Sequence, residues 1–220
     1  MTTLLVLAKS PVPGRVKTRL AADLGNRFDL AADLAAAALL DTIATATATF
    51  GANRCRLALD GDLADSPHGA ELRDALAGWT VVRQCPGDLA DRLAHAHEHV
   101  RGPVVQVGMD TPQLTPALLL CMAAGLAGHD AVLAPAADGG WWALALRTGS
   151  DGRLLRGVPM SGPATYDDTR AALTGGGLRV ADAPVLEDAD HLAEARRIAA
   201  AAPGTRFARA LLAIEGTVPR

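Results

Sequence analysis

The sequence predicts an α/β protein in which a mostly parallel central sheet is covered by helices on both faces, a three-layer α/β/α sandwich. Short apolar runs alternate with Ala- and Leu-rich helical patterns, and short turns rich in Gly and Pro join them. Half of the 220 residues are apolar and 3% are aromatic, so the core is expected to consist of Leu, Val, Ala and Ile. A chain of this length fits one large domain that buries its core without cross-links.

The predicted elements alternate in order along the chain. Strands are expected where short apolar runs lie between turn residues, at residues 4–8, 55–59, 79–83, 103–107, 131–134, 141–146 and 178–181. The first long helix is expected to begin at a cap formed by Asn26 or Asp29 and to end near residue 50. Further helices are expected at residues 69–76, 89–100, 116–126, 165–173, 190–202 and 205–214.

A basic loop follows the first predicted strand and precedes a helical pattern. Its four cationic side chains are Lys9, Arg15, Lys17 and Arg19. Open α/β sheets bind ligands at the carboxyl ends of their strands, and cations beside the first backbone N–H groups of a helix suit phosphate. The loop is therefore a candidate phosphate-binding loop; the alternative is a basic loop that is only solvated.

Acidic residues follow several of the other predicted strands. The turns that carry them are Gly87-Asp88 with Arg92, Asp110, Asp138-Gly139-Gly140 and Glu187-Asp188-Ala189-Asp190. Carboxylates beside a phosphate-binding loop suggest Mg²⁺ or Mn²⁺, because hard cations take oxygen ligands and share them with substrate phosphates. Two alternatives stay open. Asp110 also suits a turn ahead of a proline, and Asp188 and Asp190 also suit a helix N-cap.

Composition and missing motifs exclude several classes of function. A net charge of −3 argues against a general nucleic-acid-binding protein. The three cysteines form no CxxC pair, so neither a disulfide framework nor a zinc ribbon is supported, and a reducing, cytoplasmic location is expected. No GxSxG, GxGxxG or Walker A motif occurs. The Ala-rich run 30–50 contains two aspartates, which favours a buried helix over a membrane span.

Three histidines, His95, His97 and His99, fall on one predicted helix. His95 and His99 are four residues apart and therefore share a face, which makes a zinc site conceivable. The stretch does not match HExxH and offers no third ligand, so surface histidines are the favoured interpretation.

Six motifs along nearly the whole chain resemble one bacterial protein family. They are AKSPVPGRVKTRL (8–20), PGDLADRL (86–93), VGMDTPQLTPALL (107–119), PAADGGWWALAL (135–146), VPMSGPATYDDT (158–169) and LEDADHLAEA (186–195). On these motifs the chain is similar to DUF2064, the "transferase 1" group associated with radical-SAM and selenodomain proteins. That group lies in the nucleotide-diphospho-sugar transferase superfamily of GT-A fold. The resemblance implies one GT-A-like domain over residues 1–220, with a nucleotide-binding half (1–108) and a metal and acceptor half (109–220).

The resemblance also implies roles for individual residues. Those expected to hold the nucleotide are Lys9, Gly14, Arg15, Lys17, Arg19, Gly87, Asp88 and Arg92. Asp110 is expected to bind Mg²⁺ or Mn²⁺ with Asp190, or Asp188, as second ligand, and Lys17 and Asp110 are the expected catalytic residues. The acceptor side is expected to comprise Asp138, Gly139, Gly140, Trp141 and Ser161. Two departures from the family pattern lie there: Trp141-Trp142 replaces tyrosines, and residues 159–162 replace a Trp-Ser-Thr-like segment.

The implied function is a metal-dependent transferase that uses a nucleotide-activated donor. The leading hypothesis is glycosyl transfer from a nucleotide-diphospho-sugar to a small-molecule acceptor, with metal and cations stabilising the departing diphosphate. A nucleotidylyltransferase is the alternative, because the basic loop also resembles that of phospholactate guanylyltransferases. A non-catalytic nucleotide-binding protein is the third hypothesis. Neither a nucleic-acid partner nor a membrane span is expected, and a homodimer is compatible with the sequence.

Overall fold

The computed structural model describes residues 1–217, and the strands in this part of the chain form one sheet. They are β1 (Thr3–Lys9), β2 (Cys55–Asp60), β3 (Thr80–Arg83), β4 (Val104–Val107), β5 (Ala131–Pro135), β6 (Trp141–Leu146) and β7 (Val180–Asp182). Their order is β3-β2-β1-β4-β6-β5-β7. Neighbours are parallel except that β6 is antiparallel to both β4 and β5. The predicted mostly parallel sheet is confirmed; residues 218–220 of the predicted domain lie outside the described residues.

Helices cover both faces of this sheet, as the sequence predicts. They are α1 (Thr18–Asp23), α2 (Phe28–Phe50), α3 (Gly69–Ala75), α4 (Leu89–Glu98), α5 (Pro116–Gly125), α6 (Thr165–Gly175), α7 (Leu192–Ala201) and α8 (Arg206–Thr217). Strand alternation divides the core between the two faces. In β1, Leu4 and Val6 pack with α2 and α5, whereas Leu5 packs on the opposite face with Leu93 of α4 and Leu173 of α6.

The 23-residue helix α2 is the centre of the α2-side layer. It is long and apolar enough to cross a membrane by length and composition, but 72% of its apolar window is buried inside the protein. One side packs against the sheet, and the other packs against α7 and α8 around Phe207. The buried Asp41 of α2 accepts hydrogen bonds from the backbone N–H groups of Arg206 and Phe207, at 3.0 and 2.9 Å. A carboxylate at this position satisfies the free N–H groups at the start of α8.

The start of α2 differs from the prediction. Neither Asn26 nor Asp29 is the cap; the N-cap position falls on Arg27, and no side chain caps it. The reason is a tight reversal after α1, in which Gly25 and Asn26 both adopt left-handed backbone conformations (φ 72° and 64°). This reversal takes up the residues that the sequence pattern assigns to capping.

His97 is also placed differently from the surface position that was expected. It is fully buried, because a 3₁₀ segment, Gly149–Leu155, that the sequence pattern did not predict covers this face of α4. A Cβ at Gly152 would collide with the His97 side chain. Burial lowers the pKa of His97 to about 4, so the ring is neutral. His99 is exposed, in agreement with the prediction.

The strand order places a topological switch point between β1 and β4. From β1 the chain runs to β2 and β3 on one side and then returns to β4 on the other side of β1. The loops that leave β1 and β4 at their carboxyl ends therefore diverge, which opens a crevice between them. These are the loops that contain the basic cluster and Asp110.

Candidate functional site

A cleft of about 780 Å³ lies at this carboxyl edge of the sheet. It contains most of the residues that the sequence singles out. The predicted site residues among its lining are Lys9, Arg15, Lys17, Arg19, Arg92, Asp110, Asp138, Gly140, Trp141, Ser161 and Asp190, and Asp188 joins them. Both halves of the chain thus contribute to a single cleft.

Four predicted site residues, Gly14, Gly87, Asp88 and Gly139, do not line the cleft but shape the loops around it. Asp88 caps α4 by accepting from the N–H of Asp91 at 2.9 Å. A Cβ at Gly139 would collide with the backbone carbonyl of Pro163, so this turn requires glycine. Gly14 and Gly87 both have left-handed φ values of 79° and 121°. These four residues therefore shape the backbone of the loops around the cleft and do not themselves line it.

Lys17 and two aspartates form the centre of the charged part of the cleft. The Lys17 Nζ lies 2.9 Å from Oδ1 of Asp110 and 2.9 Å from Oδ1 of Asp190. Arg19 Nη1 lies 3.1 Å from the other oxygen of Asp190. The Lys17 side chain is only 5% exposed, and its backbone is left-handed at φ 48° just before α1. We call Lys17, Arg19, Asp110, Asp188 and Asp190 the charged end of the cleft.

The protonation states at the charged end follow from these contacts. Burial alone would lower the pKa of Lys17, but the carboxylates of Asp110 and Asp190 outweigh it and raise that pKa above its ordinary value. Burial would raise the pKa of Asp190, yet Lys17 and Arg19 bring it below the ordinary value. The pKa of Asp188 rises to about 7, first because the carboxyl group is buried and then because Asp110 is near. Within the charged end, Asp188 is thus the aspartate whose carboxyl group has a raised pKa.

The late loop that contains Asp188 and Asp190 is fixed against the Asp110 loop by its backbone. The Ala189 N–H donates to the Asp110 carbonyl at 3.4 Å, and the Asp190 N–H donates to the Asp188 carbonyl at 3.0 Å. Neither aspartate caps α7, which rules out the alternative that the sequence left open. Asp23 of α1 does so instead, by accepting from the N–H of Leu192 at 3.0 Å. The two carboxyl groups are consequently free to face the cleft.

The carboxyl groups of the charged end offer oxygen ligands to a divalent metal. Within residues 1–217, no three His, Cys, Asp or Glu side chains form a preformed metal site. However, Oδ1 of Asp188 is buried and has no hydrogen-bond partner in this part of the chain. Mg²⁺ is commonly bound by one or two protein carboxylates while substrate phosphates and water complete its shell. Asp110, Asp188 and Asp190 supply the oxygen ligands that such a metal takes, so the residues fit.

The two lysines of the chain both lie in this cleft. Lys9 and Lys17 are the only lysines among 21 basic residues; the others are arginines. An ammonium group is a compact point charge, whereas guanidinium is a planar fork. Both lysines of the chain therefore lie in the cleft, together with Arg15, Arg19 and Arg92.

Asp60 lies beside the cleft and contacts two of its cations, although the sequence did not single it out. It ends β2, and its carboxylate lies 3.2 Å from Arg92 and 3.9 Å from Arg15, which both line the cleft. Asp60 thus positions two of the predicted phosphate-binding cations. Its location at the carboxyl end of a strand is the same signal that identified Asp110.

Carboxamide and aromatic residues of the cleft were also missed or only partly predicted. Gln84, Gln106 and Trp142 line it besides the predicted Trp141. The indole N–H of Trp141 donates to Thr169 at 3.1 Å, and that of Trp142 donates to the Pro184 carbonyl at 2.9 Å. Both rings are therefore fixed in orientation.

The fold and cleft define an α/β protein with a charged ligand cleft at the switch point of its sheet. The family model DUF2064, described as an uncharacterized protein conserved in bacteria, matches residues 39–162, more than half of the chain. The chain belongs to this family, as its motifs predict. No curated protein matches the chain.

Several solved structures resemble the protein. A protein from Desulfovibrio desulfuricans G20, provisionally named a nucleotide-diphospho-sugar transferase, is 26% identical with a TM-score of 0.72, over 86% of this chain and 82% of that one. The CMP:2-keto-3-deoxy-manno-octonic acid synthetase complexed with CTP is 11% identical, with a TM-score of 0.58, over 92% and 98%. A nucleotidyl transferase from Methanothermobacter is 18% identical, with a TM-score of 0.54, over 94% and 98%. The last two similarities concern the fold alone.

Proposed function

We propose that this protein is a transferase that uses a nucleotide-activated substrate, held with a divalent metal at the charged end of the cleft. The observation that carries the proposal is the convergence of Lys17, Asp110, Asp188 and Asp190 beside the basic loop. Cations there suit phosphate, and the unpartnered carboxyl oxygen of Asp188 suits a metal. The similarity to the Desulfovibrio protein, named as a nucleotide-diphospho-sugar transferase, supports the same class.

Glycosyl transfer from a nucleotide-diphospho-sugar is the reaction we favour. An acceptor oxygen would form a bond to the anomeric carbon, while the bond from that carbon to the diphosphate oxygen breaks and the nucleoside diphosphate leaves. Asp110, with Asp188 and Asp190, would hold Mg²⁺ or Mn²⁺, which neutralises charge on a departing diphosphate when bound. Lys17, Arg15 and Arg19 would add positive charge around the same oxygens.

Asp138 and Ser161 are the polar groups that we assign to the acceptor side. One Asp138 oxygen accepts from the backbone N–H of Gly140 at 2.9 Å, which fixes the carboxylate at the cleft. The carboxylate is thereby oriented to accept the proton that the acceptor hydroxyl loses. Ser161 has a left-handed φ of 65° and also lines the cleft.

Nucleotidyl transfer is the second candidate, and the density of cations favours it. Lys9, Arg15, Arg19 and Arg92 line the cleft in addition to Lys17, which suits the greater charge of a triphosphate. In that reaction an acceptor oxygen would bond to the α-phosphorus, and the bond from this phosphorus to the pyrophosphate oxygen would break. Pyrophosphate would leave against the basic loop.

Thermal unfolding in the presence of candidate ligands tests both reactions. The panel contains nucleoside triphosphates, nucleoside diphosphates and nucleotide-sugars, each with and without Mg²⁺ and Mn²⁺. A ligand at a hundredfold excess over its Kd stabilises the native state by about 2.7 kcal/mol, which is readily measured. Metal-dependent stabilisation by a nucleotide-sugar and its diphosphate is the expected result. Stabilisation by a triphosphate alone would favour nucleotidyl transfer, and no stabilisation by any ligand would contradict the proposed class.

A further inference from the structure

The wall of the cleft that residues 138–165 form differs in chemistry from the basic loop. We define the acceptor wall as Asp138, Trp141, Met160 and Ser161, which all line the cleft. We propose that this wall binds an uncharged alcohol with a flat apolar face, and that Trp141 and Asp138 select such an acceptor over anionic ones. The inference rests on the proposed function, because it names the class of molecule that receives the transferred group.

The positive charges of the cleft come from one part of the chain. Within the described residues 1–217, the lysines and arginines that line it are Lys9, Arg15, Lys17, Arg19 and Arg92. The lining residues between 138 and 165 carry one charge, that of Asp138. Arg92 pairs with Asp60 at the end of β2, whereas Trp141 begins β6, three strands away in the sheet order, or about 14 Å. Phosphates held by the basic loop therefore leave the acceptor wall to the other substrate.

The charges around the acceptor wall disfavour an ionised acceptor of either sign. The Asp138 carboxylate is exposed and is fixed by the backbone N–H of Gly140 at 2.9 Å, so an acceptor phosphate or carboxylate would face a like charge. An acceptor ammonium group that reached Asp138 would come close to Lys17 and to the metal that we assign to the charged end. These charges are near one another: the pKa of Asp188, raised first by burial, is also lowered by Lys17 and raised by Asp138. An uncharged acceptor avoids both repulsions.

Trp141 and Met160 give the acceptor wall an apolar surface. Both side chains are half-buried, line the cleft and pack against the same core cluster on the α4 side of the sheet. The hydrogen bond from the Trp141 indole N–H to Thr169 fixes the orientation of the ring. An indole ring and a thioether pack well against a flat apolar face, such as an aromatic ring or the C–H face of a sugar.

The two loops that form the acceptor wall are fixed to α6. Thr165 Oγ1 accepts from the N–H of Gly162 at 3.0 Å and donates to the carbonyl of Pro159 at 3.3 Å. The N–H of Tyr166 donates to the carbonyl of Gly139 at 2.9 Å. The wall is therefore preformed, and an acceptor would bind to it with little rearrangement.

Matched probes that differ only in charge test the inference. They are benzyl alcohol with para-(hydroxymethyl)benzoate and para-(aminomethyl)benzyl alcohol, and methyl glucoside with methyl glucuronide. Saturation-transfer NMR titrations measure their Kd values in the presence of Mg²⁺ and pyrophosphate, which occupies the basic loop. At least one uncharged probe is expected to bind about fivefold more tightly than its charged analogues, and the two sets distinguish an aryl from a sugar alcohol. Asp138→Asn should remove most of the preference over the carboxylate.

Asp167→Asn is the matched control for charge, because Asp167 is exposed in the first turn of α6 and does not line the cleft. It should keep the wild-type preference. Trp141→Leu should weaken the uncharged probe about tenfold, whereas Trp141→Phe, which keeps an aromatic ring, should weaken it less. Met160→Ala should act in the same direction as Trp141→Leu if the latter does not fold.

Two failures are distinguishable. If wild type binds pyrophosphate with Mg²⁺ but binds a charged analogue as tightly as the uncharged probe, or binds no uncharged probe, the inference is wrong while the proposed function stands. If wild type binds neither pyrophosphate nor any nucleotide, the proposed function fails and the inference with it.

Discussion

The two ends of the cleft are built in opposite ways. The charged end is held together by ion pairs between loops that are far apart in the sequence. Lys17 and Asp190, for example, are separated by 173 residues. Another part of the cleft, which we call the amide lobe, is lined by Leu7, Gln84, Leu89, Leu93 and Gln106. It is held by hydrogen bonds from the Gln84 carboxamide to the carbonyls of Ala8 and Ala58. One end is thus held mainly by ion pairs, and the other by the hydrogen bonds of a neutral carboxamide.

This difference indicates how each end would respond to a ligand. At the charged end, a metal would have to compete with the Lys17 ammonium for Asp110 and Asp190, so its binding would involve an exchange of cations. In the amide lobe, the Gln84 carboxamide is already held by the sheet, so a neutral ligand would bind with little rearrangement. The charged end is therefore expected to be sensitive to salt and metal, and the amide lobe to the shape and hydrogen-bond pattern of the ligand.

The largest effect is expected for Asp110→Asn, which removes a carboxylate that we assign to the metal. Mn²⁺ affinity in the presence of a nucleoside diphosphate should fall by more than about 100-fold, since loss of a group that merely supports a metal ligand already costs 10–100-fold. Titration calorimetry checks this, with the exposed Asp74→Asn of α3 as control. Equal Mn²⁺ affinity in Asp110→Asn and Asp74→Asn would contradict the assignment of the metal to the charged end.

The pH dependence of stability tests the neutral state of His97 behind the amide lobe. Its folded pKa of about 4 lies below the ordinary 6.5, so the unfolded chain binds this proton more readily. The free energy of unfolding therefore includes the full contribution of the neutral ring above pH 6.5. As the pH falls from 6.5 to 4, this contribution is lost, which lowers the free energy of unfolding by about 3 kcal/mol. Denaturant unfolding of His97→Leu should show a shallower decline over this range, whereas the exposed His99→Gln should keep the wild-type slope. Identical slopes in all three proteins would contradict a buried neutral His97.

A smaller effect of opposite sign is expected at the charged end for Lys17→Met. Without the ammonium, two carboxylates lose their competing cation, so Mn²⁺ should bind roughly tenfold more tightly when no nucleotide is present. Pyrophosphate with Mg²⁺ should bind more weakly, because a cation of the phosphate site is gone. Lys9→Met is the matched control for the metal measurement, since Lys9 has no ion pair within the described residues. Unchanged or weaker Mn²⁺ binding by Lys17→Met would show that the two cations do not compete.

The smallest effect is expected for Asp60→Asn, beside the two arginines that line the cleft. Its ion pairs with Arg15 and Arg92 are partly exposed, so stability should change by less than about 1 kcal/mol. Nucleotide affinity should change only a few-fold. A loss of stability well above this value, measured by denaturant unfolding, would mean that Asp60 organises the loop after β1 more strongly than its exposure indicates.

The sequence predicted the charged end better than the amide lobe, and the reason is physical. Charged residues such as Asp110 stand out at strand ends because they are rarely placed there for packing. Gln84 and Gln106 carry no such signal, since a glutamine beside a strand is ordinary and its meaning depends on which carbonyls lie nearby. Pairing of Lys17 with Asp110 and Asp190 was likewise not predictable, because it depends on how the late loop meets the β4 loop.

The same limit applies to the fold. Strands such as β1 and β4 were predicted because their apolar runs are buried on both faces, as in parallel sheets. The antiparallel direction of β6 was not predicted, because direction depends on the path of the chain and not on side-chain pattern. His97 was misplaced because the Gly149–Leu155 segment that covers it lacks helical spacing of apolar residues.

The most direct test of the account observes Lys17 while metal binds. The chain has two lysines, so protein labelled with isotopes only at lysine should give two side-chain ammonium signals, assigned by Lys17→Met and Lys9→Met. On titration with Mg²⁺ in the presence of pyrophosphate, the Lys17 signal is expected to shift in a saturable way, and Mn²⁺ should broaden it more strongly than the Lys9 signal. A Lys17 signal that stays unchanged while pyrophosphate and metal bind would contradict the placement of a metal–phosphate site at Asp110 and Asp190.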